Sequence, residues 1–261
     1  MAAQALAANG AKVYISGRTK EKLDRAVETH AKGTAGELIG IQADVGNKQG
    51  IQDLYKEISQ REKCLCILVN NAGVASSHLD TTASDAQGLR RNLFEQGQST
   101  FAEWTETYNT NVASLFFMTS AFLPLLEKSS ETHKGWSATV INITSISGMI
   151  MDAQRHFAYN ASKGAAIHLN RMLAAEIASS GIKVRVNSIA PGVFPSEMTT
   201  QESDEGQKSG LPKEEYEGKV PAARPGKDED MAATVLFVAT NQYLNGQNIA
   251  VDGGFTLAAG M

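Results

Sequence analysis

The segment "YNASK" places Tyr159 and Lys163 four residues apart at the predicted start of a helix, so both side chains share one face. A free phenol titrates near about pH 10 and is a poor acid or base at neutral pH. A cation within about 4–6 Å would lower the pKa of Tyr159 by roughly 1–3 units. The pair could therefore exchange a proton with a carbonyl or an alcohol. A solvated helix pair would have the same spacing.

Two polar residues upstream could join this chemistry. Ser145 lies in the loop after the predicted strand "ATVINI", where its hydroxyl could hydrogen-bond a carbonyl oxygen that gains charge in the transition state. A serine there could equally cap the loop. Asn111 lies within a helical pattern, and asparagine is a poor helix former. It could interrupt the helix and hold a water, or it could simply be an exposed polar residue.

The elements that position these residues alternate between helix and strand along nearly the whole chain. The alternation predicts an α/β fold, a doubly wound parallel sheet with helices on both faces and a ligand crevice at the carboxyl ends of the strands. We predict helices at 2–8, 20–32, 47–60, 100–127 (broken near Pro124), 156–179 and 228–240, and strands at 12–16, 37–42, 65–70, 138–143, 183–190 and 248–251.

Composition and charge restrict the class of protein. With 261 residues, the chain suits one domain or at most two. A net charge of −4 gives no reason to expect a nucleic-acid partner or an anionic membrane surface. No apolar run approaches the roughly 20 residues that span a bilayer. Cys64 and Cys66 are expected to be inert buried thiols rather than a metal or redox site. A reducing, cytoplasmic location fits best.

Several motifs stand directly after predicted strands or at helix starts, in a characteristic order. They are "NNAG" at 70–73, Asn111, Ser145, "YNASK" at 159–163, "VNSIAPG" at 186–192 and the closing "LNGQNIAVDGG" at 244–254. This order resembles the short-chain dehydrogenase/reductase family over essentially the whole chain. The resemblance implies an oxidoreductase that transfers a hydride between NADP(H) and a carbonyl or secondary alcohol. "GVFPSEMT" from Gly192 resembles members that reduce 3-ketoacyl chains or related ketones.

The resemblance also implies a role for each residue of the predicted catalytic set. Tyr159 would be the acid/base, and Ser145 would orient the substrate carbonyl. Lys163 would lower the pKa of the tyrosine and hold the nicotinamide ribose. Asn111 would support a water relay. No metal is implied.

Further positions would contact the cofactor if the resemblance holds. Asn71, Ala72 and Gly73 would border the adenosine, and Asp44 and Val45 would flank the adenine. Pro191, Gly192 and Val193 would wall the nicotinamide, and Ser196 would lie near the pyrophosphate.

The end of "KVYISGRT" bears on the choice of cofactor. An NAD enzyme of this type usually ends its second strand with an acidic residue that bonds the ribose 2′-hydroxyl. This strand instead runs into Ser16, Gly17 and Arg18. Arg18 could hold a 2′-phosphate by a charge-assisted pair, so NADP is favoured over NAD. An arginine that merely faces solvent is the alternative.

Two departures from the family pattern lead to further expectations. The chain starts in a helix, so we expect the family's first strand and glycine-rich turn, roughly 20–30 residues, to be absent. The vacant strand position would lie between "KVYIS" and "LCILVN", and the chain should fold poorly or bind cofactor weakly. The stretch 74–100 would be an insertion, either near the substrate mouth or simply solvated, and 193–226 a substrate lid.

The resemblance suggests two kinds of function. The first is a reductase of a small-molecule ketone or alcohol that forms a homo-oligomer through the helices carrying Asn111 and Tyr159. The alternative is a truncated, non-catalytic chain that acts only as an interaction partner of full-length subunits.

Overall fold

The computed structural model describes residues 1–196, 204, 209–218 and 220–260. Helices and strands alternate, as the sequence predicts. The helices are α1 (Ala2–Ala8), α2 (Lys20–His30), α3 (Lys48–Arg61), α4 (Ala86–Leu93), α5 (Phe101–Tyr108), α6 (Ser114–Thr132), α7 (Phe157–Ser179), α8 (Asp228–Thr240) and α9 (Phe255–Ala258). The strands are β1 (Lys12–Gly17), β2 (Glu37–Gln42), β3 (Ile67–Asn70), β4 (Ala138–Ile143), β5 (Val184–Pro191) and β6 (Asn248–Val251).

All strand pairs are parallel, but the strands form two sheets rather than one. The smaller sheet pairs β1 with β2, with Lys12 beside Glu37 at its start. The larger sheet has the order β3-β4-β5-β6. Within the described part of the chain, no strand joins β1 to β3. The predicted doubly wound sheet is therefore divided between "KVYIS" and "LCILVN".

Two apolar cores lie on opposite sides of the sheets, because side chains alternate between faces along each strand. Residues of α3, α6 and α7 form the core on one side, against Val140 and Val186. Residues of α1 and α8 form the core on the other side, against Ile141 and Ile189. Neighbouring residues of the smaller sheet also divide between the cores, with Val13 on the α1 side and Tyr14 on the α3 side.

The prediction of a helix broken near Pro124 is wrong in its position. Pro124 lies inside α6, which continues to Thr132. The interruption instead lies upstream, where a π-helical turn over Asn109–Ala113 joins α5 to α6. Phe122 and Leu126 are almost fully buried on either side of the proline. This packing stabilises the helix against the loss of one backbone hydrogen bond.

The stretch Phe101–Thr132 is long and apolar enough, with a mean hydropathy of 1.2, to resemble a membrane span by length and composition. Of its most apolar part, 44% is buried inside the fold. Core packing of α6 accounts for part of this apolar character.

The stretch 74–100 contains one helix, α4. Asp85 caps it, because its side chain accepts a hydrogen bond from the amide of Gly88 at 2.6 Å. None of the α4 residues is buried, so this helix lies on the surface of the molecule.

Candidate active site

Tyr159 and Lys163 lie one turn apart near the start of α7. Lys163 is 4% exposed, and its ammonium donates a hydrogen bond to the Ile143 carbonyl at 3.0 Å. Burial lowers the pKa of Lys163 to about 8, because desolvation penalises the charged form. The same ammonium lies 5.6 Å from the centre of the Tyr159 ring. The two residues thus form a close pair, as their spacing predicts.

The expected effect of Lys163 on the tyrosine is not found. Burial raises the pKa of Tyr159 above its ordinary value, and a hydrogen bond with Ser145 opposes this shift only in part. The prediction of a lowered pKa assumed a cation beside the phenol oxygen, whereas Lys163 is bound to a backbone carbonyl at the end of β4. A raised pKa keeps the phenol protonated at neutral pH. That is the form that can donate a proton.

Ser145 begins a short 3-10 turn, Ile146–Gly148, directly after β4. It is 7% exposed, and its oxygen accepts a hydrogen bond from the Ser147 amide at 3.1 Å. Ser145 therefore does cap its loop. Capping uses only a lone pair of the hydroxyl, so the O–H remains able to donate to another oxygen. The two interpretations of this serine are compatible.

Gly148 is a site residue that the sequence analysis did not single out. A Cβ atom at this position would lie 2.4 Å from the carbonyl carbon of Lys163 and 2.5 Å from the amide nitrogen of Gly164. The Ser145 loop can approach α7 this closely only because residue 148 has no side chain. In the sequence, the glycine that ends "TSISG" at 144–148, just after a predicted strand, could have indicated this close approach.

Asn111 lies in the π-helical turn and is only 1% exposed, so the alternative of an exposed polar residue is wrong. The interruption of the helix is confirmed. The side-chain nitrogen of Asn111 donates to the Val74 carbonyl at 2.9 Å and to Ser162 Oγ at 3.0 Å. Its side-chain oxygen accepts a hydrogen bond from the Val74 amide at 2.9 Å. Ser162 donates in turn to the Tyr159 carbonyl at 2.7 Å. Asn111 thus links the loop after β3 to the tyrosine helix.

The loop after β3 comes close to the same group of residues. A Cβ atom on Gly73 would lie 3.3 Å from Asn111 Oδ1 and 3.6 Å from Lys163 Nζ. Asn71 and Ala72, which precede it, are exposed. The end of "NNAG" therefore borders Lys163.

Of the residues predicted to hold the adenosine end, Arg18, Asp44 and Val45 follow the strands of the smaller sheet, whereas Asn71, Ala72 and Gly73 follow β3 of the larger sheet. Arg18 follows β1, and its side chain is exposed. The carboxylate of Asp44 accepts hydrogen bonds from the Gly46 amide at 3.0 Å and from Asn47 Nδ2 at 2.9 Å, so it holds its own turn. Val45 packs against the α3-side core.

The residues predicted to wall the nicotinamide follow β5. Gly192 again permits close approach, because a Cβ atom there would lie 2.7 Å from Asp252 Cα. The Val193 carbonyl accepts a hydrogen bond from the Gly226 amide at 2.9 Å. Pro191 ends the strand, and Ser196 ends the first described range. Part of the predicted lid at 193–226 lies outside the described residues.

These groups fit the nicotinamide end of a dinucleotide. An ammonium has three N–H donors, and the Ile143 carbonyl takes one from Lys163, which leaves two for a ribose. Gly73 places no side chain next to that ammonium. The Tyr159 ring lies beside that ammonium, and Ser145 interacts with Tyr159, so two hydroxyls are close by. This donor set suits a polyol such as ribose together with a carbonyl oxygen.

Comparisons with known proteins agree with this geometry. The model of the family described as "Enoyl-(Acyl carrier protein) reductase" matches residues 1–256. The short-chain dehydrogenase/reductase PhomF′ of Diaporthe leptostromiformis is 35% identical, with 97% of this chain and 86% of that protein covered. A 3-oxoacyl-[acyl-carrier-protein] reductase of rhamnolipid biosynthesis from Pseudomonas aeruginosa is 33% identical, with 98% and 91% covered.

Among solved structures, the Pseudomonas aeruginosa RhlG/NADP active-site complex superimposes with a TM-score of 0.77. It is 32% identical in sequence, and the match covers 97% of this chain and 90% of that one. The chain therefore belongs to the short-chain dehydrogenase/reductase family of oxidoreductases, with its Rossmann-like α/β fold, and is related to the 3-oxoacyl-[acyl-carrier-protein] reductases.

Proposed function

We propose that this protein reduces a small-molecule ketone to a secondary alcohol with NADPH, or carries out the reverse oxidation. The observation that carries the proposal is the pairing of the half-buried Tyr159 with the buried Lys163 one helical turn away, whose ammonium lies 5.6 Å from the centre of the tyrosine ring. The cofactor, when bound, supplies the hydride for the carbonyl carbon. Tyr159 donates its phenol proton to the carbonyl oxygen while the Ser145 hydroxyl holds that oxygen in place.

Lys163 and Asn111 serve this proton transfer in the proposal. The two free N–H groups of Lys163 hold the nicotinamide ribose, and its charge stabilises the tyrosinate that remains after the proton has left. Asn111 supports a chain of waters that returns a proton to Tyr159. The contacts of Asn111 with Val74 and Ser162 support this role by holding its side chain in place.

The cofactor and the substrate class follow from the same arrangement and from the relatives. Arg18 supports NADPH, since an exposed guanidinium after β1 suits a 2′-phosphate. The 32% identical RhlG, whose structure is a complex with NADP, supports the same choice of cofactor. A 3-oxoacyl chain or a related ketone is the proposed substrate, supported by the 33% identical 3-oxoacyl reductase.

Replacing the phenol tests the mechanism. Tyr159→Phe removes the proton donor and keeps the ring, so turnover should fall by about 10²–10⁴-fold. The measurement is NADPH oxidation with a panel of 3-oxo thioesters and simple ketones. Tyr243→Phe, at a fully exposed tyrosine, is the matched control. Retained turnover in Tyr159→Phe would contradict the proposed proton donor.

A homo-oligomer is the proposed assembly. An open apolar groove of about 620 Å³ runs across α5, the π-helical turn, α6 and α7. Trp104 and Phe116 in this groove are 37% and 44% exposed, and burial against a second copy would remove that apolar surface from water. Light scattering should give a mass above that of one chain, and Phe116→Glu should reduce it.

A non-catalytic interaction partner is the second candidate. The divided sheet favours it, because Arg18, Asp44 and Val45, proposed to hold the adenosine end, follow the strands of the separate smaller sheet. Calorimetric titration with NADPH separates the two candidates. Self-association without cofactor binding would favour the second.

A further inference from the structure

Helix α7, which carries Tyr159, begins without a cap from its own sequence. Its N-cap residue is His156, whose side chain makes no capping hydrogen bond to the helix. The first amides of a helix have no partner within the helix, and a bare N-terminus frays. Tyr159 lies in this first turn, so its amide needs a partner from elsewhere.

Ser76, in the loop after β3, supplies that partner. The Tyr159 amide donates to Ser76 Oγ at 3.3 Å. In return, His156 Nδ1 lies 2.9 Å from the Ser76 carbonyl, 80 residues away in the chain. Because a carbonyl only accepts, the imidazole must carry its proton on Nδ1. Burial lowers the pKa of His156, so the ring is neutral at neutral pH. The exchange is reciprocal, as in a capping box, but its two halves come from distant segments.

The segment Val74–Leu79, which carries Ser76, is itself held at both ends. Asn111 bonds both the amide and the carbonyl of Val74. The Leu79 amide donates to the Arg155 carbonyl at 2.9 Å. Leu79 is also buried. Ser76 is therefore presented to α7 by a segment with a defined position.

The turn before α7 gives an independent reason for such support. Gln154 and Arg155 have φ angles of 50° and 65°, in the left-handed region that non-glycine residues rarely occupy. A backbone of this kind persists only where its surroundings hold it. The contacts of Ser76 with His156, and of Leu79 with Arg155, hold this turn from one side.

We propose that Ser76 and His156 form a tertiary cap that positions Tyr159 for the reaction. Both are positioning residues, since they act through the backbone of the first turn of α7. The proposal rests on the proposed function for its catalytic consequence. A displacement of the phenol by about 1 Å lowers turnover by as much as about 100-fold. Loosening this turn should therefore displace the phenol oxygen and lower turnover.

Kinetics of four variants test the positioning role. Ser76→Ala and His156→Ala should each lower kcat about tenfold, and the double variant should be no slower than either, since the two residues act as one unit. Ser76→Thr keeps the hydroxyl and should restore kcat. The KM for NADPH should stay within about twofold, because Lys163 is untouched. Ser120→Ala and His168→Ala, both at exposed positions, are matched controls.

Hydrogen exchange tests the cap without requiring turnover. In the wild-type protein, the Tyr159 amide should be protected, and Ser76→Ala should remove this protection while amides in the middle of α7 keep theirs. Unchanged protection would overturn the proposal. Lost protection with an unchanged kcat would also overturn it, because the cap would then be only structural. If the wild-type protein reduces no ketone, the proposed function fails, and exchange alone decides whether the cap exists.

Discussion

The two central strands of the larger sheet are buried more completely than either strand of the smaller sheet. In β4 and β5 of the larger sheet, every residue except the last is buried, whereas β1 has no buried residue and β2 has only Leu38. The residues proposed for the proton transfer lie on α7 and in the loop after β4. Arg18, proposed to contact the 2′-phosphate, follows β1 of the smaller sheet. The proposed proton-transfer groups thus lie in the more buried region, and the proposed cofactor-binding arginine lies next to the more exposed one.

Buried amides add to this difference. Asn70 of β3 donates to Asn142 of β4 at 2.9 Å, and Asn142 donates to Asn170 of α7 at 2.9 Å. These hydrogen bonds join two strands to α7 away from water, where they are strong. They link the larger sheet to Tyr159 through α7.

The largest expected effect is at the closest contact in the packed region. Gly148→Ala would place a methyl group 2.4 Å from the Lys163 backbone, so the Ser145 loop and α7 must separate. We expect a fall in kcat/KM of at least about 100-fold. Gly97→Ala, where nothing lies within 4 Å, is the control. Wild-type turnover in Gly148→Ala would show that this contact does not position the site.

A matched pair of valines compares the two sheets directly. Val186 in β5 is fully buried, whereas Val13 in β1 is half-buried. Val186→Ala should lower the free energy of unfolding by about 2–3 kcal/mol, and Val13→Ala by about 1 kcal/mol, because less apolar surface is lost there. Urea unfolding measures both. Equal losses would remove the contrast between the sheets.

A substitution next to the smaller sheet, at the residue proposed to recognise the cofactor, should have a smaller effect. Arg18→Ala should weaken NADPH binding about tenfold and leave NADH binding unchanged, because only NADPH carries the 2′-phosphate. Titration at low salt measures both affinities. Arg25→Ala, at an exposed position on α2, is the control. Equal weakening of both cofactors would mean that Arg18 does not contact the 2′-phosphate.

The last expected effect concerns pH. The folded-state pKa of Lys163 is lowered from 10.5 to about 8, so between these values the unfolded chain binds more protons than the folded one. Stability should therefore rise with pH above about 8, by up to about 1 kcal/mol per pH unit, relative to Lys163→Met. Below pH 8 the buried ammonium keeps its full desolvation cost. Unfolding at pH 7 to 10 tests this.

A control separates burial from charge alone. Lys183 is exposed just before β5, so Lys183→Met should show no such slope against the wild-type protein. Parallel curves for the wild-type protein and Lys163→Met would contradict the lowered pKa.

Local sequence patterns predicted much of the fold. The bounds of β2, β4, β6 and α8 match the prediction, since hydrophobic periodicity and helix-ending residues act over a few positions. The prediction of a helix break near Pro124 failed because core packing outweighed the tendency of proline to interrupt a helix. The prediction of a lowered pKa for Tyr159 failed because burial and the hydrogen-bond partner of Lys163 depend on the tertiary structure.

The sequence by itself determined which groups could do the chemistry and that Tyr159 and Lys163 share one helix face, because a helix brings residues four apart together. Only the tertiary structure decided what surrounds them. Ile143 binds the lysine, Gly148 admits the neighbouring loop, and Ser76 caps α7 from 83 residues away. Such contacts depend on how distant segments pack, and packing also decides which charges lose their water.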